Sequence, residues 1–497
     1  MIILEEADQQ AKLDSSVAGP TLRFPDRAVG RSSSPLPDYE TSQAQHNLTP
    51  TRKSLHSRVD ARFWRATLYA LVIYVVLSVV IGVPLIVTRL SKKHRGPPGP
   101  WPNDDSISPQ SLGNNAVLSL ETVGCNTWDT IEDDPLHSLF SASTSHTLLP
   151  SGSISIRSNV SIKAVDAAGI AGNLTVDINP DSSADVVLLL VSLQSSSLNL
   201  RQRTHVCFSD TGSDRGVSLY VPNHLDDAAS LSVAITLLFP QTSSAINIDY
   251  LATYLPMFTQ VFGDFGDNIS FSKVSIEGAS MGIICDFMQA PKIAVKNALA
   301  SISGTFNASE NLKLDTVGGP IYANITLVQD KDRHHPTFFS LDTGNSEIDA
   351  SVVLLAPNRY NEPLNFIGRV QTFNGPLTLD VSHDSSTPPV PLDLHVQNTQ
   401  AESNVTLDSK YIGLFDVQTK LANVAVKESR IDSSWDPAGE NRSRMCEYDQ
   451  TSSNRVRGWI GWGQRPTNWK PRDGRVQVVS SLSPVHLHLA GPSEGAS

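Results

Sequence analysis

Charge and helix-forming runs are what this 497-residue chain has little of: charged residues make up 18% and Met occurs at only 5 positions. Ser, Thr, Asn, Val, Ile and Leu take their place, a mixture that suits strands joined by polar turns and argues against a mainly helical protein. Basic clusters are missing from most of the chain. Up to Arg95 there are 13 Lys and Arg against 8 Asp and Glu; beyond it there are 25 against 42. So acidic a C-terminal part lacks the surface that phosphate binding needs, and nucleic acid is not expected as a partner. No G-x-S-x-G, H-E-x-x-H, paired C-x-x-C, P-loop or G-x-G-x-x-G stands in a strand-turn-helix setting. The chain is therefore expected to be no enzyme, with no catalytic residue, no cofactor and no metal site.

Three partial patterns do not change that expectation. Asp330-Lys331-Asp332 has the D-x-D form that holds metal-nucleotide in type II Golgi glycosyltransferases, but the alternating β/α pattern of those enzymes is absent. His334-His335 and His486-Leu487-His488 have no further ligands nearby in sequence. Asp315, Asp342 and Asp380 recur in the repeats described below, but only the first two share an aligned offset, so ladder and turn roles account for them.

What the chain does contain is one long apolar run. Ala66 to Thr88 is 23 residues without a formal charge, which as a helix rises roughly 34 Å and crosses a hydrocarbon core of about 30 Å. Residues 62–90 are expected to form a transmembrane signal-anchor helix with its flanks. The N-terminal MIILEEADQQ lacks a basic start and a long apolar stretch, and the C-terminal LSPVHLHLAGPSEGAS is too polar for a lipid-anchor signal. Basic residues nearly balance across the span, so they do not orient it. The sequons do. Asn159, Asn173, Asn268, Asn307, Asn324, Asn404 and Asn441 follow the span and only Asn47 precedes it. All four cysteines (Cys125, Cys207, Cys285 and Cys446) also follow it. Glycans are added only in the secretory lumen, and an even set of cysteines suits an oxidising compartment. The prediction is a single-pass type II chain in the plasma membrane or secretory pathway, with the bilayer as its first partner and the C-terminal part extracellular or lumenal. The four cysteines are disulfide candidates with three complete pairings open, and at least one long-range bridge is expected.

Residues 1–61 carry few large apolar side chains and are expected to be a disordered cytosolic tail. Within it Leu36, Pro37 and Tyr39 match the L-P-x-Y form that WW-domain adaptors bind, where proline pre-sets an extended backbone and Tyr fills an aromatic groove; plain linker is the alternative. Residues 91–115 are a proline-rich juxtamembrane linker.

The remainder is predicted to be a mainly β ectodomain: an N-terminal β-rich part at 116–269, repeats at 270–430, and a Trp-rich segment, strand and tail at 431–497. Asp249–Asp267, with Leu251, Leu255, Phe258 and Phe262 at helical spacing around Pro256, reads as an amphipathic helix or an irregular crossover. Four segments of 270–430 align without gaps: LDTVGGPIYANITL from Leu314, LDTGNSEIDASVVL from Leu341, VQTFNGPLTLDVSH from Val370 and VQNTQAESNVTLDS from Val396, with starts 27, 29 and 26 residues apart. Weaker copies begin near Val274, Val295 and Val417. Strand, turn and strand advancing by a near-constant step is the pattern of a β-solenoid, with a β-sandwich as the alternative. GWIGWG at 458–463 is expected to cap a solenoid end, or to stack on sugars.

The unit T-x-G/N-G-P-I/L, at Thr316–Ile321 and Thr372–Leu377, resembles the TSNAPI-like repeats of uncharacterised fungal single-pass proteins that follow an N-terminal signal-anchor. The run Ile302–Ser309 is similar to their strand-turn linkers, and the fold implied is similar to the "putative-adhesin" β-solenoid domain of bacteria. The resemblance covers about residues 150–430 and implies no established activity. It makes an adhesin-like or structural glycoprotein the leading expectation, with cell-wall polysaccharide or a surface protein as partner. A carbohydrate-active enzyme of the secretory pathway, built on a β-helix, is the alternative.

Overall fold

The computed structural model describes residues 122–490 except 135, 137–138, 161–168, 212–213, 223–228, 243–244, 267, 330–334, 357–365 and 469–473. The tail with Leu36, Pro37 and Tyr39, the segment 62–90 and the linker 91–115 lie outside the described residues, as does Asp330–Asp332. Among the described residues no helix is long and apolar enough to cross a membrane.

The described chain is mainly strand, and each strand alternates. In Ile321–Val328 the side chains of Ile321, Ala323, Ile325 and Leu327 are buried while Tyr322 and Asn324 are exposed. One strand cannot bury such a row, so successive strands stack in register and parallel. Leu314 pairs with Leu341, Leu341 with Val370 and Val370 with Val396 in a first sheet. Ile321 pairs with Ile348, and Ile348 with Leu377, in a second. Each coil gives one strand to each sheet, and the inner rows of both join a single core. That arrangement is a β-solenoid; a sandwich of antiparallel sheets, the alternative from the sequence, does not describe these coils.

The turn from first to second sheet has constant length. The step from Leu314 to Ile321 recurs from Leu341 to Ile348, Val370 to Leu377, Val396 to Ser403 and Val417 to Val424. The return connection varies, which is why the repeat spacing varies. In Ile283–Asn297 and Ile302–Thr316 there is no return loop at all, because the strand bends from one sheet into the other through register shifts at Cys285/Met288 and Ala290/Lys292.

A column of buried polar residues holds the constant turn: Asn297, Thr316, Thr343, Thr372, Asn398 and Ser480, each paired with the next. Thr316 Oγ1 donates to the carbonyl of Gly319 at 2.5 Å, and Thr343 Oγ1 donates to the same oxygen at 3.1 Å. Thr372 Oγ1 donates to Ser346 O at 3.1 Å and Asn398 Nδ2 to Gly375 O at 3.0 Å. Turn carbonyls that would be buried without a partner are thereby satisfied. Adjacent turns also approach closely: a Cβ on Gly319 would lie 1.9 Å from Ala300 O, and one on Gly375 1.8 Å from Ser346 O. Only glycine fits at these two positions. The recurring T-x-G/N-G-P unit is thus a corner, with Val317 and Phe373 exposed at its tip.

Coil order departs from chain order at both ends. The coil of Ser153–Ser158 and Ile170–Ile178 lies between that of Asp214–Tyr220 with Leu231–Phe239 and that of Tyr250–Tyr254 with Phe258–Asp264. At the other end the last coil, Arg475–Ser480 with Val485–Leu489, inserts between Leu392–Asn398 with Ser403–Leu407 and Gly413–Gln418 with Val424–Glu428. The coils therefore extend beyond 270–430 on both sides. The described part of the Asp249–Asp267 stretch is not a helix: two strands, Tyr250–Tyr254 and Phe258–Asp264, joined across Pro256 bury Leu251, Leu255, Phe258 and Phe262 by alternation and a turn. The true partner of Val295 is Ile276, since Val274 pairs with Ile293, and Val478 begins a further copy two pairings beyond Val370.

Antiparallel strands finish both ends. At the C-terminal end Arg455–Trp462 pairs with Gly413–Gln418, burying Trp459 and Trp462, and Trp462 Nε1 donates to Ser409 O at 3.0 Å. The tryptophans of GWIGWG cap the stack. At the N-terminal end His205–Thr211 and Thr122–Cys125 extend the first sheet antiparallel, and Cys125 and Cys207 are direct partners joined by a disulfide.

The inserted coil makes a specific demand on stability. Val424–Glu428 pairs with Val485–Leu489 in the second sheet, so the last of the described strands bridges two earlier coils. Leu487→Ala, at a position 1% exposed, is expected to cost about 2–5 kcal/mol in denaturant unfolding. Leu482→Ala, at an exposed turn tip of the same coil, should change stability by less than about 0.5 kcal/mol.

Candidate functional site

The two outer faces of the solenoid differ in chemistry. A strand alternates with period two, so in N-x-S/T the Asn and the hydroxyl residue share a face while the middle residue points inward. Asn173, Asn307, Asn324 and Asn404 all follow this rule: the intervening Leu174, Ala308, Ile325 and Val405 are buried. Each of the four lies on a second-sheet strand, so four sequons spread widely in sequence converge on one outer face. Their cross-strand neighbours are mostly short. Asn324 lies between Thr305 and Ser351, and Asn173 between Thr259 and Ala234. Asn268 and Asn441 are exposed in connections, the latter with φ +53°. Asn159 is exposed at the end of Ser153–Ser158, and its amide donates to Val221 O at 3.0 Å and accepts from Val221 N at 2.7 Å. Among the described strands of the first sheet, none carries a sequon asparagine.

The first sheet's outer face is instead rich in cations. Arg157, Lys273, Lys292, Lys296, Lys313 and Arg369 rise from it, against Glu277, Glu310, Asp315 and Asp342 over the same coils. Lys296 lies 3.9 Å from Glu277 and Lys313 3.5 Å from Asp315. Lys273 Nζ sits 5.2 Å from the centre of the Tyr250 ring, a cation–π contact. Opposite, the second sheet shows Asp177, Asp286, Asp349 and Asp380, and among its described strands no Lys or Arg faces outward before Lys427.

Within the cationic face lies a cluster that the sequence points to only in part. Asp315 and Asp342 are direct cross-strand partners, as their shared offset in the repeats implies. Asp380 is elsewhere, on the second sheet between Ser351 and Thr406. Gln371 and Gln397 continue the Asp315–Asp342 column, and Ser340, Arg369, His395 and Gln477 form the column beside it. Arg369 Nη2 donates to Gln371 Oε1 at 3.2 Å. Burial, and then the negative Asp315, raise the Asp342 pKa above its ordinary value, while Arg369 and Lys313 pull the other way. Burial and then the Arg369 charge lower that of His395. The repeat alignment holds this information: the residue after Leu314, Leu341, Val370 and Val396 reads Asp, Asp, Gln, Gln.

The remaining candidates separate. His486 and His488 lie on the second outer face, with His486 Nε2 3.4 Å from Glu402 and His488 Nε2 3.2 Å from Ser429 Oγ. Among the described residues no group of three or more His, Cys, Asp or Glu could hold a metal. Cys285 and Cys446 are free thiols and do not join the disulfide set. Cys285 faces the core, where burial and the nearby Asp286 raise its pKa. Cys446 is half-buried on a strand near the C-terminal end, its pKa also raised, chiefly by burial.

Asp342 supplies a pH test. Its pKa is higher folded than unfolded, so its contribution to stability is complete below the unfolded value of about 4 and is lost as pH rises through the folded value. Asp342→Asn is therefore expected to raise the melting temperature at pH 7, with the gain shrinking toward zero as pH falls below about 4. Thermal unfolding across that range checks it; a loss of stability at pH 7 would mean that Arg369 and Lys313 dominate.

No family model matches the chain, and no curated protein does. Among solved structures it is similar to a "putative cell adhesion protein" from Clostridium sporogenes, at 8% identity and a TM-score of 0.16, over 71% of this chain and 99% of that one. A likeness at that score carries no argument about fold or function, and the resemblance to fungal single-pass proteins rests on the repeat residues alone.

Proposed function

We propose that this chain is a single-pass type II membrane glycoprotein whose β-solenoid ectodomain has an adhesive or structural role, without enzymatic activity, at the cell surface or wall. The observation that carries this reading is the placement of the sequons. All seven sequon asparagines after residue 96 are exposed or half-buried, four of them on one face. The disulfide in the same ectodomain fits an oxidising compartment. The apolar run at 66–88 provides the anchor, and the repeated unit serves as a corner.

A second reading, a carbohydrate-active enzyme, has one observation in its favour. Asp315 and Asp342 are adjacent on the face without sequons, and the pKa of Asp342 is raised. A carboxyl group with a raised pKa beside a second carboxylate is what glycoside hydrolysis uses. Asp315→Asn and Asp342→Asn would each abolish such turnover; equal glycan-release rates in wild type and both variants would remove it.

The topology is tested on intact cells. Peptide-N-glycosidase treatment should lower the apparent mass, with every occupied site after residue 96, and external protease should digest the ectodomain while sparing the tail. Glycan at Asn47 with the later sequons bare would reverse the orientation. Non-reducing peptide mapping should recover Cys125 joined to Cys207, a separation of 82 residues, and two alkylatable thiols. Reduction should lower the melting temperature, since the bridge stabilises by up to about 4.5 kcal/mol in the chain-entropy account.

A further inference from the structure

We infer that the outer face of the first sheet is a docking surface for an extended polyanionic polysaccharide, lying along the solenoid axis across successive coils. The inference deepens the adhesive reading and rests on it for the setting, but its own support is the partition of chemistry between the two faces.

Two independent features single out this face. The first is charge. Beyond Arg95 the chain carries 25 Lys and Arg against 42 Asp and Glu, yet the face from Arg157 to Arg369 reverses that balance, with six cations against Glu277, Glu310, Asp315 and Asp342. Its carboxylates Glu277, Glu310 and Asp315 lie beside Lys296, Lys292 and Lys313, which leaves Arg157, Lys273 and Arg369 with Asp342 as the one remaining carboxylate. Because the opposite face is acidic, a polyanion is attracted to one side and repelled from the other. The second feature is access. Four of the sequons lie on strands of the acidic face, while Asn159 borders the cationic face at the end of Ser153–Ser158, so glycans would leave most of the cationic face bare.

The geometry suits a long, linear ligand. Parallel strands in register are spaced about 4.8 Å along the axis, and the six cations lie on five of the seven strands from Arg157 to Arg369, a span of roughly 30 Å. Tyr250 and Tyr254 on the same face offer rings for sugar faces to pack against. The side chains beside the cations are Asn311, Ser340, Gln371 and His395, hydrogen-bonding groups that suit hydroxyls.

The test uses the full-length chain in detergent, with dextran sulfate as the polyanion and unsulfated dextran as the matched neutral polymer. The N-terminal part is basic, so the readout is the difference between variants. The combined variant Lys273→Thr, Lys292→Thr and Arg369→Thr should bind dextran sulfate at least about tenfold more weakly at low ionic strength, with a shallower salt dependence and an unchanged melting temperature. Lys427→Thr, on the acidic face, should bind as wild type, and dextran should not bind. If the combined variant unfolds, Lys273→Thr and Arg369→Thr taken singly should each weaken binding about threefold. Wild-type affinity in the cation variants, an equal loss in Lys427→Thr, or equal binding of dextran would overturn the inference. Bare sequons in the same preparation would fail the glycoprotein reading alone, since the binding comparison does not depend on them.

Discussion

Parallel, in-register stacking of one coil on the next is the constraint from which the rest of this structure follows. Once Leu314, Leu341, Val370 and Val396 are partners, every residue in a coil is committed to inside or outside, and to a column shared with its neighbours. The weak point of such stacking is the corner, where backbone carbonyls would be buried without partners. Thr316, Thr343, Thr372 and Asn398 solve it with one side-chain donor per coil, in a turn tight enough to demand Gly319 and Gly375. The conspicuous sequence unit therefore belongs to architecture, which frees the outer faces to vary.

That freedom separates two chemistries on one scaffold. Because inward positions are held by Ile, Leu and Val, the outward positions of each sheet are free to differ in chemistry. One face accumulates Asn-x-Thr patterns and carboxylates, while the other carries lysines and arginines with a small polar cluster around Asp342. The carboxylate pair and the cations form a continuous surface only because adjacent coils bring together residues some 19 to 29 positions apart in sequence.

Ends are the other difficulty of a solenoid, since the last coil has no neighbour and presents open edges. This chain deals with them by antiparallel additions. Cys125–Cys207 staples one end, and Trp459 and Trp462 cover the other. Insertion of Arg475–Leu489 between two earlier coils has a kinetic corollary: the coil of Gly413–Glu428 reaches its full set of partners only when the last of the described strands arrive. Non-local pairing of this kind raises the entropic barrier to completing the stack.

The sequence by itself determined the strand content, the alternation in Ile321–Val328, and the aligned repeats from Leu314 to Val396, because period-two patterning and a fixed turn length are local properties. It also placed Asp315 and Asp342 at one offset. It misled at Asp249–Asp267, where Leu251, Leu255, Phe258 and Phe262 imitate a helix because two strands and a turn can bury the same spacing. Of the weak copies, Val295 and Val417 lie in the column, but Val274 sits two residues out of register, and Val478, which the repeat alignment did not include, stacks between Val396 and Val417. Only the tertiary structure decided which cysteines meet and that four sequons share a face opposite the cations. Those are relations between coils. Coil order departs from chain order at both ends, so no spacing along the chain could supply them.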